Sequence, residues 1–289
     1  MKIQRIKKET LRNIAICLFL TVAAMPIFFG YTRLIANSFS KSVVYGIIPK
    51  GFSLQNWRFL GGPPAEGYDP IANFPNIFLV FANTLYLAIG VTVIVTSVSV
   101  LLGYTLSRFK FRGRSILLSS TLILHAFPAV SLMIGLYYVL NIFHLLDRVI
   151  GVILAKGGLF IPFGVWVMKG FFDDIPWDVE MSALIDGATK IQALYKVLLP
   201  MVLPGIAAIS ILAFIQGWSE YLFVVTFVRS SGSWTLTSYI NGAIGELGVT
   251  DYGFLSAAST FYMLPVLLFF VFTQKYLMRV SVGGMKGGG

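Results

Sequence analysis

The sequence predicts an all-α membrane protein with six transmembrane helices and one helical loop outside the bilayer. Three observations predict it. First, 57% of the 289 residues are hydrophobic, and the mean hydropathy is +0.82. Second, only 12% are charged, about half the usual soluble fraction of ~25%, which leaves too little polar surface for a soluble chain of this size. Third, apolar runs able to cross a hydrocarbon layer of about 30 Å recur six times. They fall at residues 14–35, 77–106, 115–140, 149–168, 200–228 and 254–277.

The amino end carries Lys2, Arg5, Lys7, Lys8 and Arg12 ahead of the first run. That run is longer than a signal-peptide core and no convincing small-residue cleavage site follows, so it is read as a retained span that starts in the cytoplasm. Pro26 and Gly30 can kink it where neighbouring helices cover the freed backbone groups. Residues 36–76 are polar and loop-like, and Ser53 is placed to cap a short interfacial helix starting near Phe52. With the start inside, 15 of the 22 Lys and Arg fall on the inner side. That asymmetry fixes both termini in the cytoplasm. It also accounts for most of the net charge of +10 without nucleic acid. The basic cluster from Ser107 to Arg114 is read as a topology anchor beside anionic lipid.

The single cysteine, Cys17, excludes an internal disulfide, and His125 and His144 lack neighbouring ligands for a metal. There is no phosphate-cradling Gly-x-x-x-x-Gly-Lys-Ser/Thr and no acid/base constellation, so the chain is read as a non-enzyme.

Between the fourth and fifth runs lies a stretch of mixed polarity, residues 171–204. Asp173, Asp174, Asp178, Glu180, Asp186, Lys190 and Lys196 are too many charges for a span. Val179, Ala183, Ile185, Ala188, Ile191 and Leu194 recur at helical spacing. The stretch reads as a helix opened by Pro176 and Trp177, a turn at Asp186 and Gly187, and a second helix stopped at Pro200.

This stretch also carries a resemblance. The run from Glu180 through Met181, Ser182, Ala183, Asp186, Gly187 and Ala188, followed by Leu198-Leu199-Pro200, resembles the EAA loop of membrane subunits of ATP-driven (ABC) importers. One departure matters: Met181-Ser182-Ala183 stands where Glu-Ala-Ala is usual, and Glu180 aligns with the acidic residue that often precedes it. Gly103 to Phe109, Ile161 to Trp166, Gly170 to Phe172 and Gly217 to Leu222 resemble further stretches of the sugar-importing branch. The tail from Gly283 to Gly287 is similar to the end of the second membrane subunit of maltose importers.

The resemblance implies a type I ABC importer permease fold. It implies a cytoplasmic amino end (1–13), a six-helix permease domain (14–278) and a cytoplasmic Gly-rich tail (279–289). The loop at about 173–199 would be the coupling helix seated on the ATPase, with Glu180, Met181, Ser182, Ala183, Asp186, Gly187, Ala188 and Pro200 as coupling residues. Gly284 and Lys286 would reach the ATPase interface. No cofactor is expected in this chain, since ATP and Mg would be bound by an ATPase dimer. The other implied partners are a second membrane subunit, an extracytoplasmic solute-binding protein, a sugar and membrane lipid, in a bacterial or archaeal plasma membrane.

Polar chemistry inside the spans is sparse. Glu220, flanked by Gln216, Trp218 and Tyr221, is a candidate for the translocation path, because an ionisable group at that depth faces a cavity, a partner or the bundle interior. Gln216 and Glu220 are four apart, so one helical face carries both. A packing or gating role between membrane subunits is the competing reading. Lys156 lies in the fourth run and needs a carboxylate, water or an interface, with a partner acid on the other subunit as one option. Asn83, His125 and Asn141 are further candidates to line a path, with a satisfied interhelical hydrogen bond as the favoured reading for each. A non-sugar cargo stays open, as does a self-contained carrier or channel, although such a carrier calls for internal repeats or charged broken helices.

Overall fold

The computed structural model describes residues 2–61, 74–244 and 251–283. The chain divides into two compact units: residues 1–73 with 240–264, and residues 74–239 with 265–289.

In the first unit, α1 (Lys2–Ser38) is one helix through Pro26. Ile14, Leu18, Phe19 and Phe28 stand exposed on it, as suits side chains that face lipid. The polar stretch after it is more ordered than the expected loop. A hairpin of β1 (Ser40–Val44) and β2 (Ile48–Phe52) turns at Tyr45 and Gly46, whose φ angles are 53° and 71°. Two positive φ values are the turn geometry that matches strand twist; Tyr-Gly is an uncommon way to write it. A 3₁₀ turn (Gln55–Leu60) follows, and Ser53 Oγ accepts the Gln55 N–H at 3.1 Å. Asn56 locks the region by donating to the carbonyls of Asn37, Ser38 and Ser40 at 3.3, 3.2 and 2.8 Å.

The second unit is built on α2 (Ile77–Arg108), which packs along α5 (Val149–Asp173) and α9 (Leu203–Trp218). Leu87, Val91, Val95, Ile153, Met168 and Ile209 form its buried centre. Helices in lipid associate by close contact, since lipid is as apolar as leucine. Glycines provide it here: an added Cβ would sit 2.8 Å from Met168 Cβ at Gly103, and 2.7 Å from Ala88 Cα at Gly217.

Among the described residues, four helices are long and apolar enough to cross a membrane, within Arg12–Ser38, Ile77–Arg108, Val149–Asp173 and Tyr252–Val271. By length and composition the pair Lys190–Met201 and Leu203–Trp218, bent by 75°, makes a fifth only when counted as one broken span. The expected third span is two shorter helices, α3 (Arg114–Ala126) and α4 (Ala129–Ile142). Pro128 causes the break: it lacks an N–H, and its ring holds Phe127 extended at φ −80°, ψ 129°. The sixth expected span lies in α11 (Tyr252–Gly283).

Candidate functional site

The helix expected to open at Pro176 and Trp177 is present as α6 (Trp177–Ile185), with Asp178 and Glu180 in its first turn, where the helix dipole favours carboxylates. Its end is a Schellman cap. Gly187 N–H reaches Leu184 O at 3.1 Å, Ala188 N–H reaches Ala183 O at 3.0 Å, and Gly187 takes a φ of +90°. The Asp-Gly-Ala half of the motif is therefore a helix stop that needs glycine. Thr189 then caps α7 (Lys190–Ala193) in a capping box with Gln192.

The second helix does not stop at Pro200. A π turn (Leu194–Leu198) precedes α8 (Leu199–Met201), with Leu199 N–H bonded to Leu194 O. The wider turn absorbs the donor that Pro200 lacks. The chain instead bends at Val202 before entering α9.

A buried network ties α6 to the end of α2. Arg108 Nε lies 3.1 Å from Glu180 Oε2, with both side chains 3% exposed. Arg108 Nη2 donates to Ile175 O at 2.9 Å, and its guanidinium lies 5.1 Å from the centre of the Trp177 ring. Tyr104 Oη donates to Glu180 Oε1 at 2.9 Å. Beside them Ser107 Oγ donates to Asp173 Oδ1 at 2.6 Å, and Asp173 pairs with Lys169. Glu180 thus points into the helical bundle. Arg108 is a structural partner instead of the lipid anchor expected of its basic cluster. Tyr104 and Arg108, four apart on the buried side of α2, were the overlooked signal. The opposite face of the loop is open: Met181, Ser182, Ile185, Asp186, Gly187, Ile191, Tyr195 and Pro200 are exposed, while Ala183 and Ala188 are half-buried.

A second ion pair lies inside the span region. Lys156 Nζ sits 2.6 Å from Glu220 Oε2, so the lysine's acid is in the same chain. Gln216 and Glu220 do not share a helical face. The helix α9 ends at Trp218, where Ser219 N–H and Oγ both reach Ile215 O, and Glu220 lies in the break before α10 (Leu222–Phe227). There Glu220 Oε1 accepts the Phe223 N–H at 2.9 Å, giving α10 the cap a helix start requires. Thr237 Oγ1 donates to Glu220 O at 2.8 Å. Lys156 and Gln216 line a cavity of about 370 Å³ with Phe127, Pro128, Phe160 and Phe223.

The other expected path residues are elsewhere. Trp218 is buried against Phe81 and Phe214, and Tyr221 is half-buried outside the cavity lining. Asn83 donates to the carbonyls of Gly232 and Trp234 at 2.9 and 3.0 Å, and Asn141 is exposed. The side chain of His125 and the tail residues Gly284 and Lys286 lie outside the described residues. Among the described residues, no group of three or more His, Cys, Asp or Glu could hold a metal ion.

At the far end of these helices Asp147, at φ +57°, closes a turn. Its Oδ1 accepts the N–H groups of Arg229 and Ser230, each at 2.8 Å. The Ser230 N–H first, then that of Arg229, holds its carboxyl below the usual range.

Residues 96–279 match the family of binding-protein-dependent transport system inner membrane components. The chain belongs to that family: it is a membrane permease component of a binding-protein-dependent importer and not an enzyme. It is 32% identical over 246 residues to the diacetylchitobiose uptake system permease protein of Streptomyces coelicolor, covering 83% of this chain and 78% of that one. It is 31% identical over 230 residues to the sulfoquinovosyl glycerol transport system permease protein of Agrobacterium fabrum, covering 79% and 80%. The fold matches a crystal structure of a bacterial ABC transporter involved in import of the acidic polysaccharide alginate. That match has a TM-score of 0.77 at 21% identity and covers 93% of this chain and 97% of that one.

Proposed function

We propose that this chain forms half of a sugar translocation path and takes its power stroke from a cytoplasmic ATPase dimer through the loop at residues 176–200. The observation that carries the coupling reading is the buried Arg108–Glu180–Tyr104 tie. Arg108 is the last residue of α2, so a push on α6 is delivered straight into the longest packed helix of its unit. Breaking either side would strand a buried charge at a cost of about 3–5 kcal/mol, which makes the tie stiff.

In this reading the exposed face with Met181, Ser182, Ile185 and Asp186 meets the ATPase, and Glu180 transmits the load from within. Both termini lie in the cytoplasm, and Gly284 and Lys286 extend toward the ATPase. The other half of the path is a second membrane subunit, and a solute-binding protein delivers cargo from outside. ATP and Mg are held by the ATPase chains. A sugar cargo is supported by the cargos named for the two relatives, which leave its charge open.

The test is to co-express the chain with its importer partners and follow carbohydrate uptake and receptor-stimulated ATP hydrolysis. Glu180→Ala should leave a complex that assembles yet hydrolyses ATP without uptake. Concentrative transport by this chain alone, in vesicles, would refute the reading.

A further inference from the structure

We propose that the cavity beside Lys156 is a sugar subsite of this subunit, one that accepts an uncharged sugar ring and rejects a ring bearing a carboxylate. The inference deepens the sugar-permease reading above and rests on it. At about 370 Å³ the cavity lies within the ~300–1,000 Å³ range of small-molecule sites. It forms where two helical paths are interrupted, at Phe127–Pro128 and between Trp218 and Leu222. Irregular backbone at membrane depth is tolerated where it borders a cavity.

The groups presented there suit a sugar. Phe127 and Phe160 offer apolar ring faces for the C–H side of a pyranose, while Phe223 is buried beneath the Lys156 ammonium, 5.8 Å from its ring centre. Gln216 supplies an amide donor and acceptor, and Lys156 an ammonium. Glu220 does not line the cavity. Its side chain is 6% exposed, and its two oxygens are spent on Phe223 N–H and Lys156 Nζ. It is therefore a positioning residue: it aims Lys156, and it cancels the lysine's charge.

That cancellation sets the selectivity. One ammonium proton goes to Glu220, and two remain for sugar hydroxyls. A carboxylate in the cavity would meet no net positive charge. It would stand close to the Glu220 carboxylate, which opposes a second anion.

The experiment uses the assembled importer with Cys17→Ser and Leu159→Cys, so that one thiol of this chain reports on the cavity; Leu132→Cys serves if the first variant fails to assemble. Labelling by a membrane-impermeant methanethiosulfonate is timed with a neutral oligosaccharide that the complex imports, and with an oligouronate of equal length. The proposal expects the neutral sugar to slow labelling several-fold and the oligouronate to leave it unchanged. In a Glu220→Gln background, where Lys156 becomes an unbalanced cation, the oligouronate should begin to protect. Equal protection by both sugars in the parent, or no protection by an imported neutral sugar, overturns the subsite while leaving the permease reading intact. A complex that imports no carbohydrate removes the sugar reading and this inference with it.

Discussion

The Arg108–Glu180 and Lys156–Glu220 pairs are both ammonium- or guanidinium-to-carboxylate contacts, but their surroundings differ. Arg108 and Glu180 are each 3% exposed, and Ile175 O, Trp177 and Tyr104 complete the network. Lys156 is 21% exposed and borders a cavity, while its partner Glu220 is 6% exposed. A cation enclosed by its partners, with no space beside it, can only hold. A cation with room beside it can exchange partners. The first pair therefore serves as a rigid joint and the second as a ligand-facing group, although composition alone would rate them alike.

Breaking the joint should have the largest effect. Arg108→Ala or Glu180→Ala leaves a buried charge alone, a loss of about 3–5 kcal/mol. Thermal unfolding of the purified permease should show it, and receptor-stimulated uptake should fall further than assembly does. Next comes the cavity pair. Glu220→Ala uncaps Phe223 N–H and leaves Lys156 unpaired, at about 1–3 kcal/mol, because the lysine can still reach the cavity. Glu220→Gln keeps an acceptor for Phe223 N–H and should cost less than Glu220→Ala in the same melt. A smaller loss follows from Gly187→Ala. No atom crowds the new Cβ, but the φ of +90° is left-handed, so the cost is only about 1–2 kcal/mol of backbone strain.

The smallest effect belongs to the Asp147 turn. Its carboxyl is depressed in the folded protein, so its contribution is fully present above the ordinary carboxylate pKa. That contribution fades as pH falls through the lower folded value. Protection of the Arg229 and Ser230 amides, taken relative to their intrinsic exchange rate at each pH, should fall in acid in the parent protein. In Asp147→Ala that protection should be low and independent of pH.

Much of this was legible in the sequence, for physical reasons. Hydrophobic runs place spans because lipid demands them, and Asp186-Gly187-Ala188 announces a helix stop because few residues but glycine accept that φ. Three things were not legible. The Phe127–Pro128 break hides inside a continuous apolar run. The Tyr45-Gly46 turn uses an uncommon residue pair. The Lys156–Glu220 pairing spans 64 residues and depends on α9 ending at Trp218, so helical spacing misplaced Glu220 on the face of Gln216. Tertiary context decided each of these, and no local pattern records it.

The central claim is that α6 and the end of α2 move as one piece. Spin labels at Leu101 and Ser182 in the assembled importer test it by double electron–electron resonance through the nucleotide cycle. A single narrow distance, unchanged by ATP and broadened by Glu180→Ala, is the predicted result. A distance that shifts with nucleotide in the parent protein would contradict the account.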